Sequence, residues 1–235
     1  MRWPAHPIQS CKTRLLGPLM GSITRVSTQQ PVIALTFDDG PHPEYTPRVL
    51  DLLSEYNAKA TFFVVGQAVE QNPSLIQRIK AEGHALANHT HTHVAMPSIT
   101  GRQRRREVRT CERLLGPQPI KLFRPPWGSQ TRASRFDLLR LGYQVVTWDI
   151  VVQDWLKQAP QDLAQRIVSK AQPGSIVLLH DAIRTFETDT ESCLDRGHMI
   201  EALAIVLPKL SPQLRFVTVP ELLQAGRPAY RPWFD

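Results

Sequence analysis

The 235-residue chain predicts an α/β protein, an irregular (β/α) barrel of about seven parallel strands. Three observations lead there. Short apolar, β-branched runs alternate with longer segments whose apolar residues recur at spacings of three and four, as buried strands alternate with amphipathic helices. Gly83, Gly116, Gly142 and Gly174 each stand at a helix end just before the next strand, where glycine acts as a stop. Runs of βα units build either a doubly wound sheet or a barrel, and the absence of GxGxxG after the first strand favours the barrel.

Strands are expected, in chain order, over 32–37, 60–65, 84–88, 121–124, 143–148, 175–179 and 214–218. Helices are expected near 47–56, 68–82, 100–115, 131–141, 161–171 and 197–210, with a last one opening at 220–224. No linker, low-complexity stretch or internal repeat interrupts the series, so residues 30–235 read as a single domain. Residues 1–29 read as an extension, poorly ordered or strapping the barrel. In it Arg2, Lys12 and Arg14 precede a short apolar patch from Leu15 to Met20, broken by Gly17 and Pro18. The patch is short for a signal-peptide core and no small-x-small cleavage site follows it. Compartment therefore stays open: cytoplasmic for lack of a clear signal, extracytoplasmic if translation starts elsewhere.

Composition excludes several classes. Hydrophobic residues make up 42% and charged residues 21%, ordinary globular usage that rules out wholesale disorder. No apolar stretch is long enough for a transmembrane helix. Cys11, Cys111 and Cys193 are isolated, without CxxC, so they read as plain thiols rather than a zinc ribbon or a disulfide framework. The net charge of +7 favours anionic partners without naming one. The basic run of Arg102, Arg104, Arg105, Arg106, Arg109 and Arg113 lies on a helix and has no interleaved aromatics, so it reads as a solvated face, and no nucleic-acid partner is expected.

The chemically informative clusters fall where a strand ends and a loop begins: Asp38 and Asp39, His89 to His93, Arg124 to Gly128, Asp149 to Trp155, and His180 with Asp181. In a (β/α) barrel those ends share one face, which carries the active site. Adjacent carboxylates in TFDDGP need a metal or an arginine to offset them if they are buried; a plain Asp-Gly turn is the other reading. In NHTHTH, His89 and His93 share a face on a helical turn, and all three histidines share one on an extended segment. Either arrangement suits a divalent metal bound by neutral imidazoles and one carboxylate, with positions left for water. FRPPWGS fixes a rigid turn. Its Arg124 would be costly to bury without a carboxylate, and Asp38 is the obvious one. His180 ends the apolar run IVLLH as either a satisfied core residue or an acid–base catalyst.

TFDDGP, HTHTH, RPPWG, WDIVVQDW and LLHD, in this order, resemble the five motifs of the polysaccharide deacetylases, the NodB homology domain of carbohydrate esterase family four. ATFFVVG and NPSLIQRIKAEGH are similar in kind, and the resemblance covers about residues 31–224. It implies a NodB-type barrel, one catalytic domain over 30–235, and removal of N-acetyl groups from a sugar polymer or oligomer: chitooligosaccharide, peptidoglycan or exopolysaccharide. It further implies one divalent metal, zinc first and Co, Ni, Mn or Fe as alternatives, held by Asp39, His89 and His93. Asp38 would be the general base for the attacking water, with Arg124 pairing and orienting it. His180 would be the general acid and Asp154 its orienting partner. The Trp127 backbone amide would help hold the oxyanion, and Pro125, Pro126, Trp155 and Leu178 would contact substrate. The departures are Trp127 where tyrosine is usual, Val151 where many members carry an acid, and Val94 where proline is common. His91 lies between the two ligand positions and is not expected to ligate. Oligomeric state is not predicted.

Two other functions fit the same residues. One is hydrolysis of a small cyclic amide or ureide on a related barrel, which the full RPPWG and LLHD set disfavours. The other is a non-catalytic glycan-binding module, which would ordinarily have lost a base or a ligand; here every such group is present.

Overall fold

Every residue of the run VIALTFD is buried, which places it at the centre of a sheet covered on both faces. In the computed structural model, which describes residues 20–184 and 194–232, this is β2 (Val32–Asp38). The other strands are β1 (Ser22–Ser27), β3 (Ala60–Val64), β4 (Ala85–Asn88), β5 (Leu122–Phe123), β6 (Gln144–Val145), β7 (Ile150–Val151), β8 (Ile176–His180), β9 (Arg215–Phe216) and β10 (Arg227–Arg231). The helices are α1 (Tyr45–Glu55), α2 (Gly66–Gln71), α3 (Pro73–Ala81), α4 (Gly101–Leu115), α5 (Arg132–Arg140), α6 (Pro160–Lys170), α7 (Gly197–Leu210) and α8 (Val219–Gln224). No helix among the described residues is long and apolar enough to cross a membrane. Cys11, Cys193 and the extension's Arg2, Lys12 and Arg14 lie outside the described residues.

Seven parallel strands run in the order β6-β5-β4-β3-β2-β8-β7 and curl into a half-barrel. One edge of β2 pairs first with β9, through Val32 and Ile33, and then with β3 from Leu35 to Asp38, while its other edge pairs with β8 from Ala34 to Asp38. The alternation along β2 divides the core. Ile33, Leu35 and Phe37 pack outward against the helices with Phe62 and Leu50, whereas Val32 and Ala34 point into the barrel with Phe63, Val146 and Ile176.

The barrel is irregular, as expected: it stays open between its edge strands β6 and β7, and β1 lies across the opening, with bridges from Ile23 to Val146 and from Arg25 to Ser175. Three features differ from the sequence reading. β1 pairs antiparallel with β10, so residues 22–27, read as part of the extension, form a strand whose Ile23 and Val26 are fully buried. The stretch 143–148 is not one strand, because the chain turns at Trp148 and Asp149 before β7. There the Asp149 carboxylate accepts from the Ile176 N–H (2.7 Å) and the Ser175 hydroxyl (3.0 Å). The helix expected over 68–82 is two, since Pro73 has no N–H for a continuing helix and instead opens α3.

The glycine stops adopt positive φ, and Gly174 shows why one is needed: at φ 85°, a Cβ there would stand 1.7 Å from the Val26 carbonyl oxygen. That contact lets β1 lie against the loop entering β8.

Candidate active site

Because the sheet is parallel, the segments leaving its strands open on one mouth. Asp38 ends β2 and Asp39 follows it; His89 follows β4, Arg124 follows β5, Asp154 lies beyond β7 and His180 ends β8. Six non-glycine residues among those described have positive φ, and five of them, Asp39, Thr90, His93, Trp127 and Gln153, are members or chain neighbours of this group. Backbone strain of this kind persists where the surrounding structure over-determines it, typically at functional sites.

Arg124 is completely buried. Its Nη1 donates to Asp38 Oδ1 at 2.6 Å and to Thr36 Oγ1 at 2.8 Å, while Nε and Nη2 donate to the carbonyls of Val146 (3.2 Å) and Thr147 (2.8 Å). The guanidinium also stands 4.0 Å from the Phe63 ring centroid. Burial lowers its pKa and Asp38 works against that fall. The carboxylate and the cation thus neutralise each other where neither would be tolerated alone.

The same arginine holds its neighbour through the backbone. His89 Nδ1 lies 2.7 Å from the Arg124 carbonyl oxygen. A carbonyl only accepts, so Nδ1 donates there, and Nε2 is the ring atom turned to the cleft. That Nε2 is 3.4 Å from Asp39 Oδ1, and His93 Nε2 is 3.1 Å from the same oxygen. Asp39 Oδ2 accepts from the Arg184 backbone N–H at 2.9 Å, but the buried Oδ1 has no hydrogen-bond partner. Burial raises the Asp39 pKa, but the His93 and His89 imidazoles outweigh it and hold the carboxyl well below its ordinary value. Ligand atoms of Asp39, His89 and His93 all lie within 4.8 Å of one another. An orphaned carboxylate oxygen beside two imidazole nitrogens is a donor set that fits a divalent cation. His91 is directed elsewhere. Its Nε2 is 3.9 Å from Glu70 Oε2, and its ring lies against Gly66, where a Cβ would come within 2.4 Å of Nδ1.

Across the mouth, Asp154 is fully buried and holds His180 twice: Oδ2 accepts from its backbone N–H and Oδ1 from its Nδ1–H, each at 2.8 Å. The Asp154 carbonyl lies 2.8 Å from Nη1 of Arg196 and 2.8 Å from Nε2 of His198. Burial depresses the His180 pKa, but Asp154 first, then Asp39 and Asp38, raise it to about 9. The imidazole stays cationic at neutral pH.

Between these walls lies a cleft of about 290 Å³ lined by Asp38, Asp39, His89, His93, Trp127, Gly128, Trp148, Trp155, Leu156, Leu178, His180, Ile183 and Arg184. It brings together all the expected site residues except Arg124 and Asp154, which stand behind Asp38 and His180, and Pro125 and Pro126. Those two prolines are buried and off the cleft wall; they fix the turn that presents Trp127 and Gly128. The Trp127 indole, 47% exposed, lies over His93 with centroids 4.3 Å apart, a contact not anticipated from its motif position. Trp148, which heads the WDIVVQDW motif, had been given no role, and sequence reasoning missed Ile183 and Arg184, which carry no spacing signal. It assigned no role to Asp181, whose buried carboxyl accepts from Thr46 Oγ1 at 2.5 Å and packs on Gly40, where a Cβ would meet it at 2.3 Å. Burial pushes Asp181 up to about 7.

The half-barrel and the sequence that forms its mouth match known proteins. The family model for polysaccharide deacetylase matches residues 25–146. A peptidoglycan-N-acetylglucosamine deacetylase of Bacillus cereus is 38% identical over 205 residues, covering 85% of this chain and 91% of that protein. A chitooligosaccharide deacetylase of Sinorhizobium fredii is 33% identical over 193 residues, covering 80% of this chain and 90% of its own. A crystal structure of a peptidoglycan N-acetylglucosamine deacetylase superposes with a TM-score of 0.78 at 28% identity, covering 89% of this chain and 96% of the other. The chain belongs to the polysaccharide deacetylase family.

Proposed function

We propose that the chain is a zinc-dependent N-deacetylase of N-acetylglucosamine residues in a glycan polymer or oligomer. The observation that carries this is Asp39 Oδ1, buried without a hydrogen-bond partner beside two imidazole nitrogens and facing a cationic histidine across the cleft. Asp39, His89 and His93 would hold the metal, and two histidines with one carboxylate suit zinc. A divalent cation at such a site acidifies water from a pKa of 15.7 to about 7 and polarises an acyl oxygen.

The chain's own groups supply the rest. Asp38, paired with and aimed by Arg124, accepts the proton of the attacking water. The Trp127 amide meets the oxygen that gains charge; one such donor typically contributes about 3 kcal/mol. An amide nitrogen leaves poorly until protonated, and His180 Nε2 supplies that proton while Asp154 keeps Nδ1 occupied. Leu178 and Trp155 enclose the acetyl methyl. The names of the curated relatives support a peptidoglycan or chitooligosaccharide substrate.

The test is acetate release across chitooligosaccharides, peptidoglycan fragments and cyclic amides, with and without added Zn²⁺ or Co²⁺. Metal-stimulated release from the glycans alone is expected. Turnover of a cyclic amide with none of any glycan would replace this reading.

A further inference from the structure

Outside the cleft, the charge of the chain is concentrated on one pair of helices. α4 and α5 carry nine arginines, no lysine and three carboxylates, a net +6 of the chain's total of +7. α4 buries Arg104, Val108, Cys111 and Leu115. Its outer side presents Arg102, Arg106, Arg109 and Arg113, all exposed, at spacings of four, three and four that form a single stripe. On α5, which packs beside it, Arg132, Phe136 and Arg140 are exposed and one turn apart, with the Arg140 guanidinium 5.7 Å from the Phe136 ring centroid.

The three carboxylates do not answer this charge. Glu107 accepts from the backbone N–H groups of His91 and Thr92 at 3.0 and 2.8 Å. Glu112 pairs with Lys121 at 2.5 Å, and Asp137 is taken by Arg104 and Arg105 at 2.7 and 2.6 Å. Among the described residues Arg102, Arg106, Arg109 and Arg132 have no ion pair within 4.0 Å. Like charges at i and i+4 destabilise a helix, so the fold gains nothing from the stripe. None of its residues lines the cleft.

We propose that the outer face of α4 and α5 docks on an anionic phospholipid bilayer, with the arginines on headgroup phosphates and Phe136 at the acyl boundary. Phe136 selects this occupant over a soluble polyanion. It is 52% exposed and bracketed by Arg132 and Arg140. Helices that lie in the membrane interface combine Lys or Arg with an aromatic or aliphatic side chain that enters the acyl boundary, whereas a linear polyphosphate makes no use of an exposed ring. Base stacking would need further aromatics along the stripe, and α4 has none. Arginine alone, without lysine, also suits phosphate, which its planar fork binds bidentately.

The experiment is co-sedimentation of the full chain with vesicles of phosphatidylcholine alone or of phosphatidylcholine mixed equally with phosphatidylglycerol. Binding is expected only to the anionic vesicles and should fall as salt rises. The Arg106→Gln/Arg109→Gln pair should weaken partitioning about 25-fold, at roughly fivefold per arginine near a charged surface. Phe136→Ser, which leaves the charge unchanged, should weaken it about tenfold. Circular dichroism melting and turnover of a soluble oligosaccharide should stay at wild-type values in both variants. Equal binding to neutral and anionic vesicles, or to neither, would overturn the proposal. So would Phe136→Ser binding like wild type while inorganic polyphosphate displaces both, which would make the face a site for soluble polyanions.

Discussion

The two walls of the cleft use histidine in opposite ways, and the partner of Nδ1 decides which. On the metal wall His89 Nδ1 donates to a backbone carbonyl, so the ring is oriented with Nε2 left to ligate. On the acid wall His180 Nδ1 meets the buried Asp154 carboxylate, so the ring is held as a cation with a proton to give from Nε2. A carbonyl fixes a tautomer without adding charge, whereas a carboxylate fixes it and raises the pKa as well. One side-chain type thereby provides both a ligand and an acid in a single cleft.

The largest break in this comparison comes from the metal wall. His89→Ala and His93→Ala should each lose bound metal, measured by elemental analysis after dialysis. Acetate release should fall at least ~10⁴-fold, because the water acidification forfeited spans about nine pKa units. Retention of one metal per chain by either variant would remove that histidine from the ligand set.

On the acid wall the loss is smaller and depends on the substrate. His180→Ala should keep its metal and lose roughly 10²–10⁴-fold in turnover of an N-acetyl amide. An activated acetyl ester, whose leaving group needs no proton, should suffer much less. Equal losses on both substrates would assign His180 to the acetyl oxygen instead. The pH profile sharpens the point. The acid form of His180 is the active one, so rate falls as pH rises through its folded pKa, raised to about 9 without a bound cation. A cation beside Asp38 and Asp39 offsets their part of that rise, leaving Asp154 as the main cause. Asp154→Asn should therefore move the alkaline limb to lower pH by ~1–3 units, with no change in metal content.

Arg124 touches the metal wall twice, by side chain at Asp38 and by backbone at His89, and only the first contact is lost in Arg124→Ala. That variant leaves a buried carboxylate unpaired, and a destabilisation of about 3–5 kcal/mol is expected in denaturant titration. Metal content should stay near wild type because the carbonyl remains. Turnover per bound metal should fall, since Asp38 loses the group that aims it at the attacking water. Unchanged turnover would reduce the arginine to a purely structural role.

What the sequence disclosed follows from where its constraints lie. β2, β3 and β8 were legible because strands buried on both faces must be continuously apolar. β1 and β10 were not: SITRVS and RPAYR are polar on one side, and their pairing joins residues about two hundred positions apart. The break between α2 and α3 had its signal in Pro73, which the periodicity on either side of it masked. In the site, Asp39, His89 and His93 were legible because ligand chemistry restricts residue type and spacing together. Arg184 and Ile183 reach the cleft only through the fold, and the contact between Asp181 and Gly40 joins two loops that share no local pattern.

The smallest expected effect is also the sharpest control on that legibility. By sequence alone His91 is as eligible a ligand as its neighbours, since an extended HTHTH segment would put all three rings on one face. The backbone does not extend there: Thr90 and His93 both have positive φ, at 69° and 58°, and these turns aim His91 at Gly66 and Glu70. The ring is partly exposed, and its 3.9 Å approach to Glu70 is a surface contact of little worth. His91→Ala should therefore bind one metal per chain and keep its turnover, with a stability loss of about 1 kcal/mol or less from the vacated contact with Gly66. The backbone N–H of His91 would still donate to Glu107, so the turn that sets His93 survives the substitution. Metal titration of His91→Ala beside His93→Ala reads the difference directly. A His91 variant that bound metal as weakly as the His93 one would mean that ligation follows histidine count along the segment and not the turns that separate these rings.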